Sequence, residues 1–431
     1  MCVSADVCLC VVFALAVSSS FFLLLNSVAH WINYERLHQT GGTQLNWLVQ
    51  YGVVPAPQPG QSPVPPTVSA LSYQTIPGGT GHAMVLCLLL MYTSALVIVR
   101  SPMFEVFWFA HHMFFPFYVL GCVHGLAKIL QPPDFYIWVI APLLLYLIER
   151  LIRLLRSKQS CIVLQAIAHP SNVLELRVKK TAFNYISGQY VFISVPYIAN
   201  FEWHPFTISS SPDEDFVSVH IRRAGDWTGA LHDFMNPEKK LGVIQENMVN
   251  APNGKPILLV DGPFGAASED VPKFEYLHLW AAGIGVTPFA SILKSIKHQI
   301  ETGTAKAKAV EFYWTNRDRS SFEWFLDLLQ YLERTCDFLT INLFFTGKSS
   351  AKDQQVDADG RDAMTGLEAR THYGRPDINA IYAQKAQEYQ GCKVGVFFCG
   401  PPVVSKSLYA ACRKFTDVKT KTKFKYHKEN F

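Results

Sequence analysis

Two histidines, His111 and His124, stand thirteen residues apart in an almost uninterrupted apolar stretch. An imidazole in lipid is costly unless something binds it. In a redox protein, an axial position on haem iron is the partner such a residue takes. On a straight helix thirteen residues rise about 20 Å, with the two side chains roughly 140° out of phase. Pro116 between them can distort that phase, so spacing alone does not establish two metal sites.

A second group begins eighty residues further on. His204-Pro205-Phe206-Thr207 closes an expected strand and leads to Ser209, Ser210 and Ser211. Imidazole and short hydroxyl groups there can hydrogen-bond a flavin ring and its sugar. Arg222, two residues past His220, offers a planar fork of donors that suits a pyrophosphate. Gly225-Asp226-Trp227-Thr228 then turns into a helix, whose N-terminus favours phosphate. Each piece alone is an ordinary turn proline, solvated arginine or helix cap; the combination points to a bound dinucleotide.

A third group starts with Ala282-Gly283-Ile284-Gly285-Val286-Thr287-Pro288. Two glycines admit a pyrophosphate close to the backbone, and Thr287 and Pro288 suit a helix cap and first turn. The pattern lacks a third glycine and is weak by itself; its place between a strand and a helix strengthens it. Cys399-Gly400-Pro401-Pro402 ends the last expected strand. Ligands of open α/β sheets sit beyond the carboxyl ends of strands, which puts Cys399 beside a nicotinamide. A lone cysteine is otherwise a small buried apolar side chain.

These groups need elements to hold them. Apolar residues make up 49% of the 431 and charged residues 17%, and the part before about Arg150 is nearly uncharged. Four segments are long enough to span a bilayer: Val7–Ile32, His82–Val99, Phe104–His124 and Phe135–Ile152. The first lacks the basic start of a signal peptide, and the Pro/Gly-rich Gly41–Gly81 reads as a loop. Arg100, Arg150, Arg153, Arg156 and Lys158 mark the cytosolic side; the loops with Arg36 and Lys128 face away, and both termini lie inside.

From Cys161 onward, short alternating strands (Val163–Ala166, Val173–Val178, Gln189–Val195, Phe216–Ile221, Ile257–Val260) suggest a small antiparallel barrel. After Phe274 strands and helices alternate: Leu277–Ala281, Pro288–His298, Val310–Trp314, Phe322–Glu333, Phe338–Phe345, Val394–Cys399 and Val404–Arg413. That order argues for a parallel sheet flanked by helices, with Lys348–Gly374 as a surface loop. The expected architecture is an α-helical transmembrane bundle over 1–155, an antiparallel β-barrel domain over 156–272 and an α/β parallel-sheet domain over 273–431. Ten cysteines without CxxC or zinc spacing read as reduced cytosolic thiols. A net charge of +4, with no basic run beyond the Lys-rich tail, gives no support to a nucleic-acid partner.

Together these residues resemble the catalytic subunits of the NADPH oxidase family, nearest the phagocyte type. The resemblance rests on His204–Thr207, Asp261-Gly262-Pro263-Phe264-Gly265, Ala282–Pro288 with the following Phe289-Ala290-Ser291-Ile292-Leu293-Lys294, and Phe312-Tyr313-Trp314. It also rests on Phe322-Glu323-Trp324-Phe325, Cys399-Gly400-Pro401, Phe104–Trp108 running into His111-His112, and the terminal Lys428-Glu429-Asn430-Phe431. It covers nearly everything from His30 onward.

The resemblance implies a ferredoxin-reductase-like module. His204, Pro205 and Thr207 would hold FAD, with Arg222, Trp227 and Thr228 near its phosphates. Gly283, Gly285, Thr287 and Pro288 would cradle the NADPH pyrophosphate; Arg317 and Arg375 match positions suited to the adenosine 2′-phosphate. Cys399 would flank the nicotinamide and Phe431 would cover the flavin ring. His111 and His124 would each bind one of two b-type haems. The implied activity passes hydride to FAD, then single electrons across the haems to dioxygen, yielding superoxide. It implies a multi-pass protein in membrane lipid, its dehydrogenase in the cytosol, with cytosolic activator proteins and a membrane partner.

One segment departs from the family pattern. The preceding span ends in H-x-x-x-H in the family, and here reads Asn26-Ser27-Val28-Ala29-His30, with no histidine before His30. His30 falls about one helical turn past the family's position and reads as an interfacial histidine. The departure implies a shortened N-terminal region and a question over haem occupancy. Two other readings share the plan: a ferric-chelate metalloreductase, disfavoured by Phe322–Phe325 and the Lys-Glu-Asn-Phe end, and a haem-deficient short form acting as a non-catalytic membrane subunit.

Overall fold

The computed structural model describes residues 25, 27–36, 38–39, 49, 56, 58, 67–100, 102–126, 135–157, 159, 161–200, 202–250, 256–348, 360–417 and 419–429. Most of the first expected span, Asn26, and Phe431 lie outside them. The chain divides into two units, 1–151 and 152–431.

In the first unit the Pro/Gly-rich stretch is not a loop throughout. Helices run over Val68–Gln74 and Ile76–Ala95, so the expected loop has turned helical before Gly81. The local cause is capping: the Thr75 hydroxyl accepts from Gly78 N at 3.2 Å. Pro77, in the first turn, gives up a backbone N–H that had no helical partner anyway. Gly78 is needed for packing, since a Cβ there would lie 2.3 Å from the Leu71 carbonyl oxygen. The stretch expected as one span over Phe104–His124 is two helices, Phe104–His111 and Phe114–Gly125. They part at His112-Met113, where His112 Nδ1 bonds the Trp108 carbonyl at 2.7 Å.

Two described stretches, Ile76–Ala95 and Glu105–Gly125, are long and apolar enough to cross a membrane, with mean hydropathies of 1.3 and 1.4. The fourth expected span lies in the helix Phe135–Ser157, which does not pass that test. Its second half carries Glu149, Arg150, Arg153 and Arg156. Large apolar side chains point outward along these helices, Phe109 (68% exposed) and Trp138 (77% exposed) among them.

In the second unit, the antiparallel strands β1 (Cys161–His169), β2 (Val173–Lys180), β3 (Tyr190–Ser194), β4 (His204–Thr207), β5 (Val217–Arg222), β6 (Gly242–Met248) and β7 (Leu259–Phe264) form two sheets. Their orders are β5-β2-β1-β6 and β4-β3-β7. The sheets join at both edges. Ile208 bridges Val219 and Ser209 N donates to Ser218 O at 2.8 Å; on the other side Ile257 N donates to Val249 O at 3.1 Å. The ring so closed encloses Val163, Leu174, Leu176, Ile193, Ile208, Val219, Ile221 and Leu258. The strand β6 escapes sequence reading because Val243–Met248 has no apolar alternation.

Six parallel strands follow: β8 (Tyr276–Ala282), β9 (Ala309–Asn316), β10 (Leu339–Phe345), β11 (His372–Tyr373), β12 (Lys393–Cys399) and β13 (Lys423–Lys428). The order is β11-β10-β9-β8-β12-β13. The inner strands are rich in apolar residues, continuously so over Val394–Cys399, because helices cover both faces. The helix Ile378–Glu388 and the strand β13 are additions to the expected elements. Nor is the described part of Lys348–Gly374 a plain surface loop. Asp362, Thr365, Leu367 and Thr371 are buried, and the Asp362 carboxylate accepts from Thr365 N at 3.0 Å and Thr371 N at 2.9 Å.

Candidate functional site

Between β8 and β12 the chain leaves the central strand in opposite directions, which makes a crevice at the carboxyl ends where open α/β sheets bind ligands. The turn out of β8 holds Gly283 at φ +58, and its carbonyl accepts from Trp314 Nε1 at 3.1 Å. Gly285 lies against Cys399: a Cβ there would be 2.3 Å from the Cys399 carbonyl oxygen and 3.1 Å from its Sγ. Thr287 and Pro288 open the helix Thr287–Glu301 directly after. Thr287 N donates back to the Ile284 carbonyl, so the helix start continues the turn Gly283–Val286.

Arg317 follows β9 and Arg375 follows β11, both exposed. The bonds Thr346 N to Asn316 O (2.8 Å) and Gly374 N to Phe345 O (2.9 Å) keep these strand ends level. The two arginines therefore stand on one edge, two strand spacings or about 9.6 Å apart along the sheet. Cations so placed can bracket a phosphate.

On the barrel, the His204 ring lies 4.1 Å from that of Trp227, and Phe206 stacks on Trp227 at 6.0 Å. Trp227 is buried, yet its indole N–H has no partner among the described residues. A buried unmet donor is costly, and a cofactor oxygen would satisfy it. Thr228 Oγ1 accepts from Ala224 N at 2.9 Å and Gly225 N at 3.0 Å, tying the helix start to the preceding turn. Pro205 is exposed and Thr207 buried on β4; Arg222 ends β5, exposed. Its neighbour Arg223 is held by Asp233 through two bonds of 2.7 and 2.9 Å, so the two arginines have different work.

The barrel and the parallel sheet are bonded to each other. Ser291 Oγ donates to Ser210 O at 2.6 Å, Lys294 Nζ meets Glu214 at 3.2 Å and Trp324 Nε1 donates to Pro170 O at 2.9 Å. Near this seam the Cys399 thiol is 5% exposed; burial, aided by the Glu429 carboxylate, pushes it up to about 12. Glu429 was not singled out from sequence. It is buried, accepts from Ser268 N at 2.5 Å and from the Ser268 hydroxyl, and its own N–H donates to Phe398 O at 2.9 Å. Burial raises its carboxyl above the usual range. Its motif was visible, but its partner lies 161 residues away.

In the first unit the His111 ring packs 5.2 Å from Phe107. His124 Nδ1 is 3.0 Å from Thr80 Oγ1, which leaves Nε2 for another partner. The His30 ring faces it at 6.4 Å between centroids, with planes at 82°. His30, expected as an interfacial residue, is therefore a ring neighbour of His124.

Comparison with known proteins follows the same division. Residues 159–268 match a family described as FAD-binding domain, and 274–413 one described as ferric reductase NAD binding domain. Over 368 residues the chain is 50% identical to a superoxide-generating NADPH oxidase heavy chain of Dictyostelium discoideum, covering 84% of this chain and 71% of that protein. A second such heavy chain from the same organism is 44% identical over 381 residues, covering 85% and 54%. NADPH oxidase 3 of Homo sapiens is 34% identical over 475 residues, covering 98% and 82%.

Proposed function

This chain belongs to the NADPH oxidase family, and from that premise we propose that it is the membrane-embedded catalytic chain of an oxidase. It takes electrons from NADPH, passes them through FAD and b-type haem, and reduces dioxygen to superoxide. The observation that carries the reading is the contact of Gly285 with Cys399 at the crevice between β8 and β12, beside a barrel whose Trp227 indole lacks a partner among the described residues.

Bound FAD supplies the change from hydride acceptance to one-electron donation. The chain's own residues bind and orient. His204, Pro205 and Thr207 line the flavin side, and Trp227 donates its indole N–H there. Arg222 and Thr228 meet the pyrophosphate. The turn Gly283–Pro288 lets the NADPH pyrophosphate approach the backbone, and Arg317 and Arg375 hold the adenosine 2′-phosphate. Cys399, neutral at physiological pH because its thiol is pushed up to about 12, packs against the nicotinamide and excludes water. Phe431 covers the flavin.

His111 and His124 would hold haem in this reading, with His30 beside His124. The outward apolar side chains of Ile76–Ala95 and Glu105–Gly125 meet lipid, and the dehydrogenase faces the cytosol, where activator proteins dock. The test is superoxide output from the purified, detergent-solubilised chain with NADPH, together with a dithionite-reduced minus oxidised spectrum and haem quantified per flavin. Superoxide with haem present supports the proposal. Haem-free protein that reduces only diffusible acceptors sinks it.

A further inference from the structure

The barrel carries a second convergence of metal-binding side chains, on strands β1, β2 and β5. Glu175 on β2 and His220 on β5 are cross-strand partners. His169, at the end of β1, shares its face with Ile167, the residue opposite Glu175. His169 Nε2 is 2.9 Å from Glu175 Oε2 and His220 Nε2 is 3.8 Å from the same oxygen. All three ligand atoms lie within 4.8 Å of one another.

The atoms facing away from this point are already held. Ser209 Oγ is 2.8 Å from His220 Nδ1 and 2.8 Å from Ser218 Oγ, which fixes the ring. Arg177 Nε donates to Glu175 Oε1 at 2.6 Å, and its Nη1 to Gln165 at 3.1 Å. The other arginine nitrogen reaches Oε2 only at 3.4 Å, so that oxygen is the more available. Phe325 covers the His220 ring at 4.7 Å. Partners of this kind orient metal ligands elsewhere. The His169 side chain remains 22% exposed, an entry path for an ion and room for a water as fourth ligand.

We propose that His169, Glu175 and His220 form a binding site for a late first-row divalent cation, Zn²⁺ by ligand type. Two imidazoles and one monodentate carboxylate suit zinc and exclude a calcium or magnesium preference. Bonds of 2.0–2.1 Å in a tetrahedron put ligand atoms roughly 3.3 Å apart. The observed spacing approaches that value, and rotation of the part-exposed His169 ring closes the rest. The ion braces the seam: the turn after His169 carries Pro170, bonded to Trp324, and Ser171, bonded to Asp318 and Ser320. This proposal does not depend on the oxidase reading.

The experiment is Zn²⁺ titration by equilibrium dialysis of the detergent-purified, chelator-stripped full chain, with its melting temperature followed alongside. One equivalent binds and raises the melting temperature. His169→Ala weakens binding about 100-fold or more, and Arg177→Ala, which releases Glu175, on the order of 10–100-fold; far-UV circular dichroism confirms that each variant folds. Equal binding by folded His169→Ala, or no binding by the parent, overturns the site. Should His169→Ala fail to fold, zinc-edge X-ray absorption of the parent decides. Two imidazoles with an oxygen at about 2.0 Å support the site, and a sulfur or imidazole-free shell overturns it.

Discussion

Gly285 and Cys399 are in direct apposition: the space where a Gly285 side chain would stand is taken by the Cys399 carbonyl oxygen, 2.3 Å from an ideal Cβ. The turn proposed to hold the pyrophosphate and the strand end proposed to flank the nicotinamide are therefore one mechanical unit. Gly285→Ala must push them apart, because the clash is with backbone and no rotamer relieves it. KM for NADPH should rise at least about tenfold, or ~1.4 kcal/mol, with FAD content unchanged. Steady-state reduction of a soluble acceptor measures it; an unaltered KM would separate the turn from the nucleotide.

The buried Cys399 thiol is pushed up to about 12. Thiolate is the reactive form, so iodoacetamide at pH 8 should leave Cys399 unmodified in folded protein. Cys399→Ala should slow NADPH-dependent flavin reduction roughly 10- to 100-fold through lost positioning, without loss of FAD. Stopped-flow flavin bleaching reads the rate and peptide mass spectrometry the alkylation; unchanged rates in the variant would remove Cys399 from the site. The sign of linkage follows from the raised value: its contribution to stability is complete below the unfolded thiol's pKa of about 8.5 and is lost as pH climbs above it.

What could be read from sequence follows physical range. The strands β8, β9 and β12 were legible because both faces are buried, so their runs are mostly apolar, broken in β8 and β9 by His278 and Glu311. The glycine turn was legible because its conformational demands are local. The strand β6 was not, since its residues Val243–Met248 are largely exposed and do not alternate. The helical turn at Ile76–Gly81 was missed because Pro and Gly composition hid a Thr75 cap. Pairings between residues distant in sequence, such as Glu429 with Ser268, or His30 with His124, depend on tertiary folding and leave no local pattern.

His278, wholly buried on β8, is pushed down to about 3 by burial and then by the Lys385 charge. Its Nδ1 is 3.3 Å from Tyr382 Oη, and its Nε2 has no partner among the described residues. Burial also pushes His220 down to about 3. Unfolded histidine takes its proton near pH 6.5, so stability held above that pH drains as pH falls toward 3. The loss is at most about 1.4 kcal/mol per pH unit for each ring. His278→Leu should reduce that slope by one ring's share, while Trp280 Nε1 keeps its 3.2 Å bond to Tyr382. Melting temperatures at pH 7.5, 6 and 5, read by flavin release, test it; parallel losses in parent and variant would refute the assignment.

Trp227 joins His204 and Phe206 into one aromatic face and offers a buried N–H with no partner among the described residues. Trp227→Ala removes the face and the donor together, so purified protein should retain less than about a tenth of the parental FAD, a loss exceeding ~1.4 kcal/mol. Trp227→Phe keeps the stack and forfeits only the donor, so its FAD loss should be the smaller. Flavin per protein after gel filtration gives the answer, and full occupancy in the alanine variant would place the cofactor elsewhere.

His30 faces His124 at 6.4 Å with perpendicular planes, and His124 is oriented from behind by Thr80 at 3.0 Å. If the pair holds one haem, iron there is six-coordinate and low-spin, closed to carbon monoxide. His30→Ala should leave that iron five-coordinate, giving a high-spin signal in electron paramagnetic resonance and carbon monoxide binding at one haem, with FAD content untouched. His112→Ala is the control, because His112 Nδ1 is turned back onto the Trp108 carbonyl at 2.7 Å and should change neither signal. A His30→Ala spectrum identical to the parent's would mean that the ligand opposite His124 comes from another residue. Haem lost from both parent and variant would instead count against the oxidase reading itself.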